Sequence, residues 1–247
     1  WSGKKVTDAI ELGLSEFTGS YTQNPWTYLT TNHPGGEEQN YRGDAYVAAS
    51  AFDLGSSDGL PNLSDACIQF YLYYPNGKES PSVGPKVRVL GGKNDKFFRL
   101  WGNNDADYAA LPGDKVGAST WGNGSGQDGQ LGIEYQYTPP TGAQWGMGEG
   151  PTPARKSFIN DANRGRWVRI RIHAKVASAA NNDGVVQIWT DGTLLLSDTS
   201  LQSYPGAGAP NTFTTGYLLG WANNGFVPGQ YTYIDDVVIS SGGFTTP

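Results

Sequence analysis

The most regular alternation in the chain is GRWVRIRIHAKV, Gly165 to Val176. Val168, Ile170, Ile172, Ala174 and Val176 fall on one parity; Trp167, Arg169, Arg171, His173 and Lys175 fall on the other. A period of two marks a strand with one face buried and the other wet. QLGIEYQYT at 130–138 has the same period, with Gln130, Glu134 and Gln136 on one side and Leu131, Ile133, Tyr135 and Tyr137 on the other. Alternation and short apolar runs predict strands at 45–53, 66–74, 85–91, 96–102, 130–138, 166–176, 185–190, 193–197, 216–222 and 231–240. Helical periodicity is nearly absent. Its short candidates are KKVTDAIELGL near the start and TPARKSFINDANRG at 152–165, the latter good for a turn or two.

The connections carry turn chemistry. Asp191-Gly192 separates two apolar runs and suits the positive φ angles of a type I′ hairpin; Asn76-Gly77 is expected to play a similar part. Many short strands without crossover helices indicate an all-β sandwich of two antiparallel sheets, with little helix. All-β sandwiches often reach this length as one domain, so residues 1–247 are expected to form a single domain. The Gly/Pro-rich stretch 139–153, with Trp145 and Met147, reads as a long internal loop rather than a linker.

Composition narrows the function classes. The chain carries a net charge of −6, which argues against a nucleic-acid partner. No run of about 18 apolar residues offers a membrane-spanning helix. The chain opens at Trp1 with neither an initiating Met nor a signal-peptide pattern, so a processed form or part of something longer is expected. Its single cysteine, Cys67, excludes an intrachain disulfide and sits in the apolar run ACIQFYLYY, where it reads as a small buried hydrophobe. Against this acidic background, six of the nineteen Lys, Arg and His residues fall between 164 and 175.

From residue 166 the order is GRWVRIRIHAKV, a polar loop, DGVVQIWTDGTLLL, GYLLGWANN and TYIDDVVIS. This resembles the C-terminal half of concanavalin A-like (lectin/glucanase) jelly rolls, a superfamily of lectins, laminin-G-like modules, polysaccharide lyases, glucanases and adhesive modules of cell and virion surfaces. The resemblance implies a jelly roll and leaves function to the site. The E-x-D-x-x-E run of the retaining glucanases is absent. Of the alginate-lyase strands, Arg171-Ile172-His173 resembles part of Q-I/V-H, and VPGQYTY at 227–233 resembles Y-x-K-x-G-x-Y without its Lys; the Arg-Glu strand is not recognisable.

Two readings of the basic stripe stay open. Trp167, Arg169, Arg171, His173 and Lys175 stand about 7 Å apart along one face, a spacing suited to successive carboxylates of a polyanion. The same face can instead be solvated and paired to acids across the sheet, with Glu134 as a partner for Arg169 or Arg171. Glu134, Gln136 and Trp145 would equally suit sugar hydroxyls and a sugar ring. A lyase would take His173 as base, Arg171 or Arg169 to neutralise the uronate, and Tyr135 or Tyr233. Trp101, Trp121, Trp189 and Trp221 are expected in the core, with Trp26, Trp145 and the loop tyrosines left for stacking or interfaces.

No cofactor is required. A structural calcium is the one metal admitted, weakly, at Asp105 and Asp107 in GNNDADYAALPGD, which also reads as a plain turn cluster. Of Asp235 and Asp236, one is expected to point inward and need a partner. Arg42-Gly43-Asp44 is read as a turn. The leading expectation is a non-catalytic module, glycan-binding or structural and adhesive, on an extracellular or virion surface, with a glycan or neighbouring subunits as partner and an oligomer compatible. Its alternatives are a polysaccharide lyase acting on an acidic glycan by β-elimination and a capsid-decorating or fibre protein.

Overall fold

The computed structural model describes residues 51–53, 63–81, 85–88, 94–101, 116–122, 128–137, 144–147, 155–178, 182–201, 212–213, 215–218, 222–223, 232–241 and 244. They form thirteen strands and no helix: β1 Ala51–Asp53, β2 Asp65–Tyr73, β3 Asn94–Trp101, β4 Val116–Gly122, β5 Gly129–Tyr137, β6 Gln144–Met147, β7 Lys156–Ile159, β8 Trp167–Lys175, β9 Gly184–Thr190, β10 Thr193–Leu201, β11 Thr215–Leu218, β12 Ala222–Asn223 and β13 Tyr233–Ser241. A five-stranded antiparallel sheet runs β10-β9-β8-β2-β13. An eight-stranded one runs β1-β11-β3-β4-β5-β6, with β12 on β3 and β7 on β5. This is the expected all-β sandwich.

The alternation in β8 is realised residue by residue: Val168, Ile170, Ile172 and Ala174 are buried, and the residues between them half-buried. They share one core with Ala66, Ile68, Phe70 and Leu72 of β2 and with Phe98, Leu100, Val116, Ala118, Leu131 and Ile133 of the facing sheet. Phe97 bridges the two layers, 6.1 Å from Phe70 and 5.5 Å from Phe158 between ring centres. A bulge on β3 between Lys96 and Phe98 lets Phe97 and Phe98 both enter the core, where strict alternation would expose one of them.

The Asp191-Gly192 hairpin forms as its chemistry predicts, with φ of 49° and 86°. The Gly192 position is open, the nearest atom to an added Cβ being Arg169 Nη2 at 3.7 Å, so only the left-handed backbone penalises a side chain. Gly192→Ala is therefore expected to cost about 1 kcal/mol, read as a lower urea midpoint at unchanged slope. Asn76-Gly77 also turns, with Gly77 at φ 79° and Lys78 N–H donating to Asn76 Oδ1 at 2.7 Å. It joins no hairpin, because β2 pairs with β8 and β13 instead.

Several local expectations are corrected. Residues 156–159 form β7 rather than helix, because Phe158 and Ile159 enter the core. The turn at 160–164 is closed by Asn160, whose side-chain oxygen accepts from the N–H groups of Ala162 and Asn163. Residues 85–88 are not a strand; Val87 bonds to Pro75 O through its N–H, and its carbonyl accepts from the buried Arg164. The loop at 139–153 carries β6. Strand β4 has no counterpart among the predicted strands. Trp121, on β4, and Trp189 lie outside the core cluster on outward faces.

Candidate functional site: the outward face of the five-stranded sheet

The outward face is laid out in rungs by strand register. Ser197, Gln187, His173, Cys67 and Ser240 form one rung across β10, β9, β8, β2 and β13. Trp189, Arg171, Gln69 and Val238 form the next, then Arg169 and Tyr71, then Trp167, Tyr73 and Tyr233. A bulge on β13 between Asp235 and Val238 changes the expectation for the paired aspartates. Asp236 takes φ 49° and is exposed, so it is not the inward carboxylate of the pair.

Most cations of the stripe have partners within the sheet. Arg171 Nε donates to Gln69 Oε1 at 2.7 Å, and its guanidinium lies 5.2 Å from the centre of the Phe244 ring, which packs edge-on to Trp189. His173 Nε2 is 2.8 Å from Asp65 Oδ1, and Nδ1 is 3.4 Å from Gln187 Oε1. Lys175 Nζ is 3.8 Å from Asp183. Arg166 Nη1 donates to Asp191 Oδ2 at 2.7 Å, and Asp191 Oδ1 accepts the Arg169 backbone N–H at 2.9 Å. Each oxygen of Asp191 thus accepts one hydrogen bond, and the Arg169 guanidinium, whose Nη2 lies 3.7 Å from where a Cβ on Gly192 would stand, has no acid partner among the described residues. It is half-buried, opposite Tyr71 and two residues from Trp167, whose ring lies 5.4 Å from that of Tyr73.

Glu134 does not join this face. It lies on β5 in the other sheet, where it ion-pairs with Arg99 of β3, so the expected pairing with Arg169 or Arg171 is replaced. Arg99 and Glu134 are both buried on the far side of that sheet. Arg99 Nη1 donates to the carbonyls of Phe98 and Ala118 at 3.0 and 3.2 Å, and Nη2 to Ser119 Oγ at 3.2 Å. The signal for this pair was present in sequence: FFRLW and GIEYQ each put one charge in the polar phase of an alternating strand.

Gln136 and Trp145 are register partners on β5 and β6, and Tyr135 is the register partner of Val116. These positions belong to the eight-stranded sheet and are separated from the stripe by the core. Tyr233 shares the stripe's sheet, but its rung lies six residues along β8 from His173, about 20 Å away. Hence neither candidate tyrosine stands beside His173. Asp105, Asp107, Trp26, Trp221 and Arg42-Gly43-Asp44 lie outside the described residues.

Among the described residues, three carboxylates are held below the usual carboxylate range. At Glu79, burial pushes upward but is outweighed by the Tyr73 hydroxyl, 2.7 Å away, and by backbone N–H groups at Asn76, Glu79 and Gly77. At Asp161 the cause is Lys86 first, then Arg164; at Asp183 it is the hydroxyl and N–H of Ser178. Burial, then Glu79, pushes the Tyr73 phenol up. A carboxylate depressed in the native state contributes stability above its unfolded value, 4.5 for Glu79 and 3.8 for the two aspartates, and loses it as pH falls through the native value. The urea midpoint is accordingly expected to hold steady down to about pH 5 and to drop below about pH 4. Glu79→Gln should flatten part of that drop. A midpoint unchanged at pH 3 would contradict it.

No family model matches the chain, and no curated protein does. Among solved structures, the chain aligns with the alginate lyase Aly36B in complex with an alginate tetrasaccharide at 17% identity, covering 76% of this chain and 73% of that one, with a TM-score of 0.48. It aligns with an endo-β-1,4-glucuronan lyase from the fungus Trichoderma reesei at 13% identity, covering 78% and 74%, with a TM-score of 0.48. With the carbohydrate recognition domain of Emp46p the values are 6% identity, 76% and 73% coverage and a TM-score of 0.35. The sandwich itself is established by the two antiparallel sheets of this chain.

Proposed function

We propose that this chain is an extracellular, non-catalytic module that binds an acidic glycan on the outward face of its five-stranded sheet, at the end carrying Trp167 and Arg169. The observation that carries this reading is the Arg169 guanidinium. It is the cation of the stripe with neither an acid partner nor a side-chain hydrogen bond among the described residues, whereas Arg171 donates to Gln69 and lies against Phe244, and it is half-buried. A guanidinium takes a carboxylate through two parallel N–H···O bonds, and the aromatic rings of Tyr71 and Trp167 offer stacking surface to the sugar that bears it.

Binding without turnover follows from the same face. Proton abstraction beside a uronate needs a base with a lone pair turned toward the substrate, and a second group to protonate the leaving oxygen. Both nitrogens of His173 face protein partners, and neither candidate tyrosine is beside it. Electrophoresis through gels containing a polyuronate or a neutral β-glucan tests the reading, run alongside near-ultraviolet absorbance of the same polyuronate in solution. Retardation by the polyuronate alone, with no rise in absorbance, is the expected result. Unsaturated uronates accumulating would establish a lyase instead, and equal mobility in all gels would remove the glycan.

A further inference from the structure

At the other end of β8, three side chains of different donor chemistry meet. Asp65 and Cys67 are two residues apart on the outward side of β2, and His173 is the register partner of Cys67. Cys67 is buried, as its apolar run predicts, but it lies on the polar face beside His173 rather than in the core cluster. One oxygen, sulfur or nitrogen donor atom from each of the three lies within 4.8 Å of the other two.

The histidine is oriented from behind. Gln187 Nε2 donates to Ser197 Oγ at 3.0 Å, which turns Gln187 Oε1 toward His173 Nδ1. In the tautomer with the proton on Nδ1 the ring donates to Gln187 Oε1, and Nε2 faces the Asp65 carboxylate at 2.8 Å. A positive particle belongs between Nε2 and that oxygen, either a proton or a metal ion. An imidazole that donates through one nitrogen to an amide oxygen and presents the other is the arrangement of metal-ligating histidines. The adjacent thiol adds a soft donor that a proton does not need.

We infer that Asp65, Cys67 and His173 form a three-ligand site for a borderline-soft divalent cation of the Zn²⁺ class, with a fourth position open to water. Tetrahedral bonds of about 2.0–2.3 Å put ligand atoms roughly 3.3–3.8 Å apart. The Asp65–His173 contact would open by about half an ångström and the sulfur would close in, both by side-chain rotation. The site is covered on one side and open on the other: Cys67 is 2% exposed, while the His173 and Asp65 side chains are 24% and 39% exposed. Carboxylate and thiolate together balance the cation. Lys175, the register partner of Asp65, has its ammonium 3.8 Å from Asp183. The site lies about 13 Å along β8 from Arg169, so it stands apart from the proposed glycan contact.

Titration with Co²⁺ tests it directly, because Cys67 is the chain's single cysteine and any thiolate-to-cobalt charge-transfer band must come from it. The expected result is a band that saturates at one Co²⁺ per chain and is displaced by Zn²⁺. It should vanish in Cys67→Ser and need at least tenfold more Co²⁺ in Asp65→Asn and His173→Gln. Absence of the band in the wild-type chain overturns the site, and so does Co²⁺ binding unchanged in a folded Cys67→Ser. The wild-type spectrum decides the matter even where a variant fails to fold.

Discussion

Glu134→Gln is expected to destabilise the native chain by about 3–5 kcal/mol, although it changes no volume and touches no core residue. The Arg99 side chain lies over Gly117. A Cβ at that glycine would come within 2.4 Å of Arg99 Nη1 and 2.3 Å of Phe98 O, so the strand is made thin at this point for the arginine to cross. Nη1 donates to the Phe98 and Ala118 carbonyls and Nη2 to the Ser119 hydroxyl, and Glu134 supplies an opposing charge. Removing that charge takes the Glu134 counter-charge from a buried guanidinium, which costs more than the pair itself contributes. The account therefore predicts strong non-additivity. Arg99→Met with Glu134→Leu should cost much less than the two single changes together, because no charge is then left buried. A urea-unfolding double-mutant cycle checks this. A Glu134→Gln cost below about 1 kcal/mol, or additive single changes, would mean that the pair is solvated.

The same residues show what could be read from sequence. The strands β5 and β8 were legible from strict alternation of large side chains, and β2 and β9 from apolar runs bounded by turn signals. Strand β4, VGASTWG, was not legible. Its outward Gly117 and Ser119 are small because Arg99 lies over them. Its neighbour Gly132 on β5 is small because Trp121 lies over it, with a ring carbon 2.8 Å from where a Cβ would stand. Small residues chosen to fit another strand's side chain carry no hydropathy contrast of their own. Missing β4 also hid the link between Arg99 and Glu134, since β4 stands between their strands and sets the register of Arg99, Gly117 and Glu134 on one line.

The candidate site was half legible. The stripe on β8 falls on one outward face as its alternation predicts, whereas which partner each cation finds depends on strand order. Asp65, Gln69 and Gln187 became its partners because β2 and β9 flank β8, and no local pattern in those strands announces that neighbourhood. Cys67 was hidden for the same reason. An apolar run shows that a residue is buried without showing on which side of the sheet.

Arg169→Ala carries the second large effect, on binding rather than on stability. The side chain makes no ion pair among the described residues, so its removal should change the unfolding free energy by no more than about 0.5 kcal/mol. A charge-assisted, two-pronged contact to a carboxylate contributes about 1.5–3 kcal/mol, roughly a ten- to hundredfold change in affinity. Arg169→Lys should recover only part of it, because an ammonium keeps the charge without the planar fork. Binding should also weaken with added salt, in the wild-type chain more than in Arg169→Ala.

The most direct measurement is calorimetric titration of the wild-type chain and Arg169→Ala with the same uronate oligosaccharide. The account predicts saturable binding to the wild type, at least tenfold weaker binding to Arg169→Ala, and an oligosaccharide recovered unchanged from both. Equal affinity in the two proteins, or recovery of cleaved, unsaturated sugar, would contradict it.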